Sequence, residues 1–157
     1  WKERKKNNEE INKEIEKIQQ ENGIEKKIEF FIKGVETDPV KAKKNLQEKE
    51  QEDQKKGRTT YGPHTDRITF FINKKSIKNH ASQGEKSLCF SVLKKAEANI
   101  IKQKINKEPI ILLDDIFSKL DKPNTRLITN LFLKTNQTII SHTEKINEKK
   151  INNISIN

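Results

Sequence analysis

The chain has no methionine, one cysteine, one tryptophan and one tyrosine, and only five glycines and four prolines among its 157 residues. Each scarcity excludes something. The single thiol, Cys89, cannot form an intramolecular disulfide, and its place on an apolar helical face marks it as a buried structural residue. One cysteine and three scattered histidines cannot supply a zinc site. No apolar run approaches the ~18 residues of a membrane-spanning helix, so no membrane association is expected. The N-terminal stretch is lysine-rich but interrupted by acids, unlike a secretory signal. No Ser-His-Asp order is suggested by spacing, and no glycine-rich Walker A loop occurs. A sequence that starts at Trp1 and holds no Met is expected to be the C-terminal piece of a longer chain. A reducing, cytoplasmic setting fits the cysteine usage best.

What is present is charge. Charged residues make up 36% of the chain and hydrophobic ones 31%, so about one domain with a modest core must coexist with solvated helices. The net charge of +10 points toward an anionic partner, nucleic acid or nucleotide. The abundance of Lys, Asn and Ile has a second source, because an AT-rich genome would impose it.

Periodicity divides the chain. Ile11, Ile15 and Ile18 form a narrow helical stripe over residues 1 to about 21, either a coiled-coil arm or one helix of a small lobe, ended by Asn22-Gly23. Ile28, Phe30 and Ile32 alternate as in a strand. Asp38-Pro39 has the form of a helix start, and that helix should stop at Gly57. Residues 59–64 are extended and turn-rich. Ile68 to Ile72 is a strand, 73–75 a turn, and Ser76-Ile77 a short return strand. Ser82 starts a long helix whose broad face, Leu88, Val92, Ala96 and Ile100 widened by Cys89, Leu93 and Ile101, predicts packing on a sheet. Ile110 to Leu113 is apolar on both faces, as in a central parallel strand covered on both sides. A helix from about Pro123 to Lys134, a strand at Thr138–Ser141 and a final strand near residues 151–156 complete an α/β order.

Two strings carry chemistry. Asp114 and Asp115 end a buried parallel strand, where open α/β sheets place their ligands. The first carboxylate can hold Mg2+ through its water shell, and the second can orient an attacking water. The bland alternative is a strand ending in polar residues. Ser82-Gln83-Gly84-Glu85-Lys86 opens a helix. Ser82 with Glu85 forms a capping box, which alone is structural. A helix N-terminus with a serine hydroxyl and a glycine is also a phosphate site, and the two readings are compatible. Ser118-Lys-Leu-Asp121 follows the carboxylates, and Asp121 could simply cap the next helix. His142 lies at a strand's carboxyl end, where it could meet a terminal phosphate.

These residues resemble the C-terminal portion of the RecF family of bacterial DNA replication and repair proteins. The most specific stretches are Gly57-Arg-Thr-Thr-Tyr-Gly-Pro-His-Thr-Asp66, Ser82-Gln-Gly-Glu-Lys86 and Pro109-Ile-Ile-Leu-Leu-Asp-Asp-Ile-Phe-Ser-Lys-Leu-Asp121, in the family's order. That family is similar to the ATPase heads of SMC and Rad50 proteins within the ABC class. The resemblance implies an α/β fold: residues 1–57 as part of a helical arm lobe, and 58–157 as the C-terminal half of a P-loop NTPase head.

The resemblance also implies roles. Ser82 to Lys86 match the ABC signature, which contacts ATP bound by the opposite subunit. Asp114 matches the Walker B carboxylate that supports Mg2+, and Asp115 the catalytic carboxylate, usually Glu in ABC proteins. Ser118 to Asp121 match the D-loop. His142 falls at the switch position, where relatives often carry Thr or Ser. Thr65-Asp66-Arg67 departs from the family's Arg-Asp-Asp, and the Walker A half is missing from this sequence. The implied function is an ATP-dependent homodimeric clamp on single-stranded or gapped duplex DNA, with RecO and RecR as partners. Slow ATP hydrolysis is expected of the complete protein only. Rival readings are the ATPase subunit of another ABC system, such as a transporter, and a non-catalytic basic coiled-coil DNA-binding protein.

Overall fold

A computed structural model describes residues 2–33, 38–114, 117, 120–133 and 137–141. Asp115, Ser118, His142 and the strand expected near 151–156 lie outside the described residues. The elements run α1 (Lys2–Glu21), β1 (Ile28–Lys33), α2 (Pro39–Lys56), a short 3-10 turn (Pro63–Thr65), β2 (Arg67–Ile72) and β3 (Lys75–Ser76). They continue as α3 (Ile77–His80), α4 (Gln83–Ile105), β4 (Ile111–Asp114), α5 (Lys122–Leu133) and β5 (Thr138–Ser141). Two sheets form among the described residues: an antiparallel β1-β2-β3 and a parallel β4-β5 pair.

Local chemistry sets the boundaries. Asp38 caps α2 by accepting from the Val40 N–H at 2.9 Å, with Pro39 in the first turn. Gly57 closes that helix in the left-handed region, φ +61°, a conformation glycine adopts without Cβ strain. Asn73 and Lys74 both have positive φ, +48° and +67°, the conformation that lets a two-residue loop follow strand twist. The return strand, expected at Ser76-Ile77, lies one residue earlier at Lys75–Ser76, because Ser76 turns to cap α3 and Ile77 becomes its first residue.

The core is built around α4. Leu88, Cys89, Val92, Leu93, Ala96, Ala98 and Ile100 are buried along it, so the buried surface runs most of the way round rather than along one stripe. Helices α1 and α5 both pack on α4, and the Phe70 and Phe90 rings meet edge-on at 5.4 Å between β2 and α4. The broad face predicts packing on a sheet, and helices pack on α4 in addition. Ser91, Ala96 and Ala98 are small residues among the buried ones of α4. Ile101, expected to widen the face, is exposed.

The Ile11–Ile15–Ile18 stripe of α1 docks into this same core, with Ile15 and Ile18 fully buried. Polar side chains on α1 then complete the outer edge of β1. The Asn12 amide donates to the Phe30 carbonyl at 2.6 Å, and its oxygen accepts from the Phe30 N–H at 2.8 Å. Gln19, about two helical turns on, accepts from the Ile28 N–H at 3.3 Å and donates to the Lys26 carbonyl. An edge strand that would otherwise present open backbone groups is thereby closed. Strand β1 also pairs with β2 from Ile28↔Ile72 to Lys33↔Arg67, so residues on both sides of position 57 share one sheet and one core.

The expectation that Ile110 to Leu113 is covered on both faces is corrected. Ile111 and Leu113 are buried, but Leu112 is 72% exposed, Ile110 60% and Ile139 on β5 56%. The parallel pair has only two strands among the described residues, with its apolar outer face open.

The Asn12 clamp is testable by substitution. Asn12→Ala strips both partners from the Phe30 backbone and is expected to lower unfolding free energy by about 1–3 kcal/mol, measured by urea denaturation. A change under a few tenths of a kcal/mol would show that water serves that edge equally well.

Candidate functional site

Ser82 lies just ahead of α4 with an extended backbone, φ −63° and ψ 165°. Its hydroxyl accepts from the Glu85 N–H at 3.2 Å, and the Glu85 carboxylate accepts from the Ser82 N–H at 2.8 Å. The capping box expected from Ser-x-x-Glu is therefore formed in both directions. Lys26, from the loop ahead of β1, adds an ion pair to Glu85 at 2.9 Å. This hydrogen bond, then the Ser82 backbone, holds the Glu85 carboxyl below the usual range. The Glu85 side chain is thus committed to the cap. The Ser82 hydroxyl still has its own proton to donate, and Ser82 and Gln83 are exposed.

Gly84 has a steric reason to be glycine. A Cβ there would stand 3.0 Å from the Asn124 side-chain nitrogen and 3.7 Å from Leu120. The N-terminus of α4 is therefore pressed against the start of α5. Asp121 caps α5, its carboxylate accepting from the Asn124 N–H at 2.9 Å. Asn124 thus links two of the expected motifs, with its backbone on Asp121 and its side chain beside Gly84. Neither Asn124 nor Lys26 was found by sequence reasoning. The signal for Asn124 was its third position after a capping Asp; Lys26 had none, because its partner is distant in sequence.

Asp114 ends β4 and pairs in register with Ser141 at the end of β5. The Ser141 hydroxyl donates to one Asp114 carboxylate oxygen. Asp114 is exposed, so its other oxygen can face a cation or a cation's water. Among the described residues no group of three or more His, Cys, Asp or Glu converges. A divalent ion at Asp114 would therefore draw its remaining donors from outside this set of residues. That suits Mg2+, which commonly takes one or two carboxylates plus phosphate oxygens and water.

The Gly57–Asp66 stretch serves as a clip. Asp53 on α2 accepts from the Thr60 N–H at 2.7 Å and its hydroxyl at 2.6 Å. His64 meets the Thr59 carbonyl at 2.9 Å, Tyr61 meets Asn45 at 3.2 Å, and Asp66 pairs with Arg4 of α1. These contacts tie α1 and α2 to β2. Cys89 is buried nearly two turns inside α4, and burial pushes its thiol up to about 12, as an inert structural cysteine requires.

No protein-family model matches the chain. Curated relatives do. The DNA replication and repair protein RecF of Chlorobium limicola is 35% identical over 108 residues, 69% of this chain and 30% of that protein. That of Alkaliphilus oremlandii is 40% identical over 111 residues, again 69% of this chain and 30% of the relative. The chain spans about 30% of the length of these relatives. A solved structure described as the recombination mediator protein RecF-ATP in the RecFOR pathway superposes with TM-score 0.69 at 26% identity, over 94% of this chain and 42% of that one. The corresponding RecF-ATPrS structure gives 0.66 at 27% identity over 92% of this chain and 40% of that one.

The Lys26–Glu85 pair yields a pH test. Because the Glu85 pKa is depressed in the fold, its contribution is present above the unfolded value. It is lost as pH falls through the lower folded one. Lys26→Ala is expected to move the Glu85 titration, followed by carboxyl NMR, up toward the ordinary glutamate value. An unmoved titration would remove Lys26 as the main cause.

Proposed function

The chain is a RecF-like segment, and from that premise we propose that it supplies two separate parts of a dimeric nucleotide switch in a DNA replication and repair protein. The observation that carries the reading is the placement of its two motifs. Ser82 and Gly84 sit at the α4 N-terminus against the start of α5, while Asp114 sits at the sheet end with Ser141. Each motif has its own supporting partner.

At the first part, the exposed Ser82 hydroxyl and the N-terminal amides of α4 are donors suited to a terminal phosphate. In the proposed dimer that phosphate belongs to ATP held by the other subunit. Gly84 keeps this helix end seated on Asn124, so the donors are held by packing rather than by ligand. Asp121 and Ser118 would lie at the subunit boundary, with Asp121 fixing the start of α5.

At the second part, Asp114 would hold Mg2+ on the nucleotide of its own subunit, oriented by the Ser141 hydroxyl. Mg2+ there would supply charge neutralisation for phosphate oxygens. Asp115 would orient water, its shorter reach than Glu matching slow turnover, and His142 would meet the terminal phosphate. The Walker A loop would come from the rest of the longer protein, so this segment alone is expected to be inactive. Closing the dimer would assemble a basic surface, consistent with the net charge of +10, for single-stranded or gapped DNA. RecO and RecR are the proposed partners. The capping box, the Gly84–Asn124 seat and the Asp114–Ser141 pair together favour this over a coiled-coil module with an incidental strand terminus.

In the longer protein, Ser82→Arg is expected to leave ATP binding intact and to abolish ATP-dependent dimerisation in light scattering. Undiminished dimerisation would remove the signature role. Asp114→Ala is expected to weaken Mg2+-dependent nucleotide binding at least tenfold, about 1.4 kcal/mol. Unchanged Mg2+ dependence would remove the metal role.

A further inference from the structure

A cleft of about 1050 Å³ lies between β2, the β3–α3 corner and α4; it excludes Ser82, Gly84 and Asp114 and shares only Lys86 with the Ser82–Lys86 stretch. Its origin is a mismatch of lengths. Ile68, Phe70 and Ile72 share one face of β2; Phe70 and Ile72 are buried, but Ile68 is 61% exposed. Phe90 forms the opposite wall and is 51% exposed, with its ring edge-on to Phe70. The sheet's apolar face thus continues past the cover that α4 gives it.

The rim of this cleft is of one sign. Arg67, Lys78 and Lys86 line it, and no acidic residue does. None of the three is in an ion pair among the described residues. This is notable because lysines elsewhere on the chain pair repeatedly with glutamates. Glu85, the acid next in sequence to Lys86, is already held by Lys26. Arg67 also lines a second hollow of about 500 Å³ with Arg58, Lys56 and Asp66, where Lys56 is paired with Glu52 and Asp66 with Arg4.

We propose that this cleft docks an acidic protein segment bearing a bulky apolar side chain. The apolar residue would cover Ile68 and Phe90, and flanking carboxylates would meet Arg67, Lys78 and Lys86. A single nucleic-acid strand fits less well. Bases stack on open aromatic faces, whereas the most exposed apolar group here is aliphatic and Phe90 is already engaged by Phe70. An apolar anchor inside a charged rim is the usual anatomy of a peptide-binding hot spot.

The test uses the 157-residue chain and fluorescence anisotropy with three labelled probes. They are a short peptide alternating aspartate with phenylalanine and leucine, the same peptide with serine at every apolar position, and an oligothymidine. The first peptide should bind, and the serine peptide should bind about tenfold or more weakly. Ile68→Ser and Lys78→Glu should each weaken the first peptide by a similar factor, with unchanged circular dichroism and thermal midpoint. Lys78→Glu is an exposed change and guards against Ile68→Ser failing to fold. Equal binding of the two peptides would overturn the proposal, as would indifference to both substitutions. Oligothymidine binding that is lost in the same variants would assign the cleft to nucleic acid instead. Concentration-dependent dimerisation of the chain, abolished by Ile68→Ser, would assign it to a second copy. The two substitutions tested, at Ile68 and Lys78, lie outside the Ser82–Lys86 stretch, so loss of ATP-dependent dimerisation in Ser82→Arg neither supports nor weakens the proposal.

Discussion

The burial of nine side chains of α4 between Leu88 and Ile100 is the constraint on which the rest of the fold depends. A helix surrounded on most sides must carry small residues where helices press on it and large ones where it meets a sheet. Ser91, Ala96 and Ala98 are small buried residues of α4, Leu88 and Val92 are large ones, and Phe90 meets Phe70 of β2. Close-packed interiors tolerate little change in volume, so α1, β2 and α5 have limited freedom to move relative to α4. The consequence for function is positional. The N-terminus of α4 is held from behind by its own core and from the side by Asn124, and the phosphate contact proposed there would gain from being held before its ligand arrives.

The second support is polar. Asn12 and Gln19 use a helix to satisfy the backbone of an edge strand, bringing the first fifty-seven residues into the sheet begun by β2. The Arg4–Asp66 pair and the contacts of the Gly57–Asp66 stretch bind the same regions again. A stretch that resembles the family so specifically, yet has no chemistry of its own, is explained by this clip. It fixes α1 and α2 on the start of β2.

Much of this was legible in residue order. The Asp38 cap, the Gly57 stop, the Ser82–Glu85 box and the alternation in β1 and β2 are local rules, and local rules are written in neighbouring residues. The burial of Ile15 and Ile18 followed from spacing, though whether α1 was an arm or a core helix did not. What could not be read depended on distant partners. Asn12 on Phe30, Lys26 on Glu85 and Asn124 beside Gly84 are each set by tertiary packing. The covering of Leu112 was expected on both faces because an apolar run says that burial is available, not that a neighbour is there to provide it. Gly84 was read for phosphate approach, and its closest geometric reason is the Asn124 side chain.

The central claim is that Ser82 and Asp114 serve different nucleotides, one in the partner subunit and one in its own. Mixed dimers of the longer protein separate this from a single shared site. One protomer carries Ser82→Arg and the other Asp114→Ala, and ATP turnover is measured on the mixture against each variant alone. If the two residues act across the interface, one composite site of the mixed dimer retains both native groups, and mixing restores activity. A dimer with both substitutions on one protomer and none on the other should then be inactive. Restoration only in that second arrangement, with none in the first, would place both residues in one subunit's site and contradict the account.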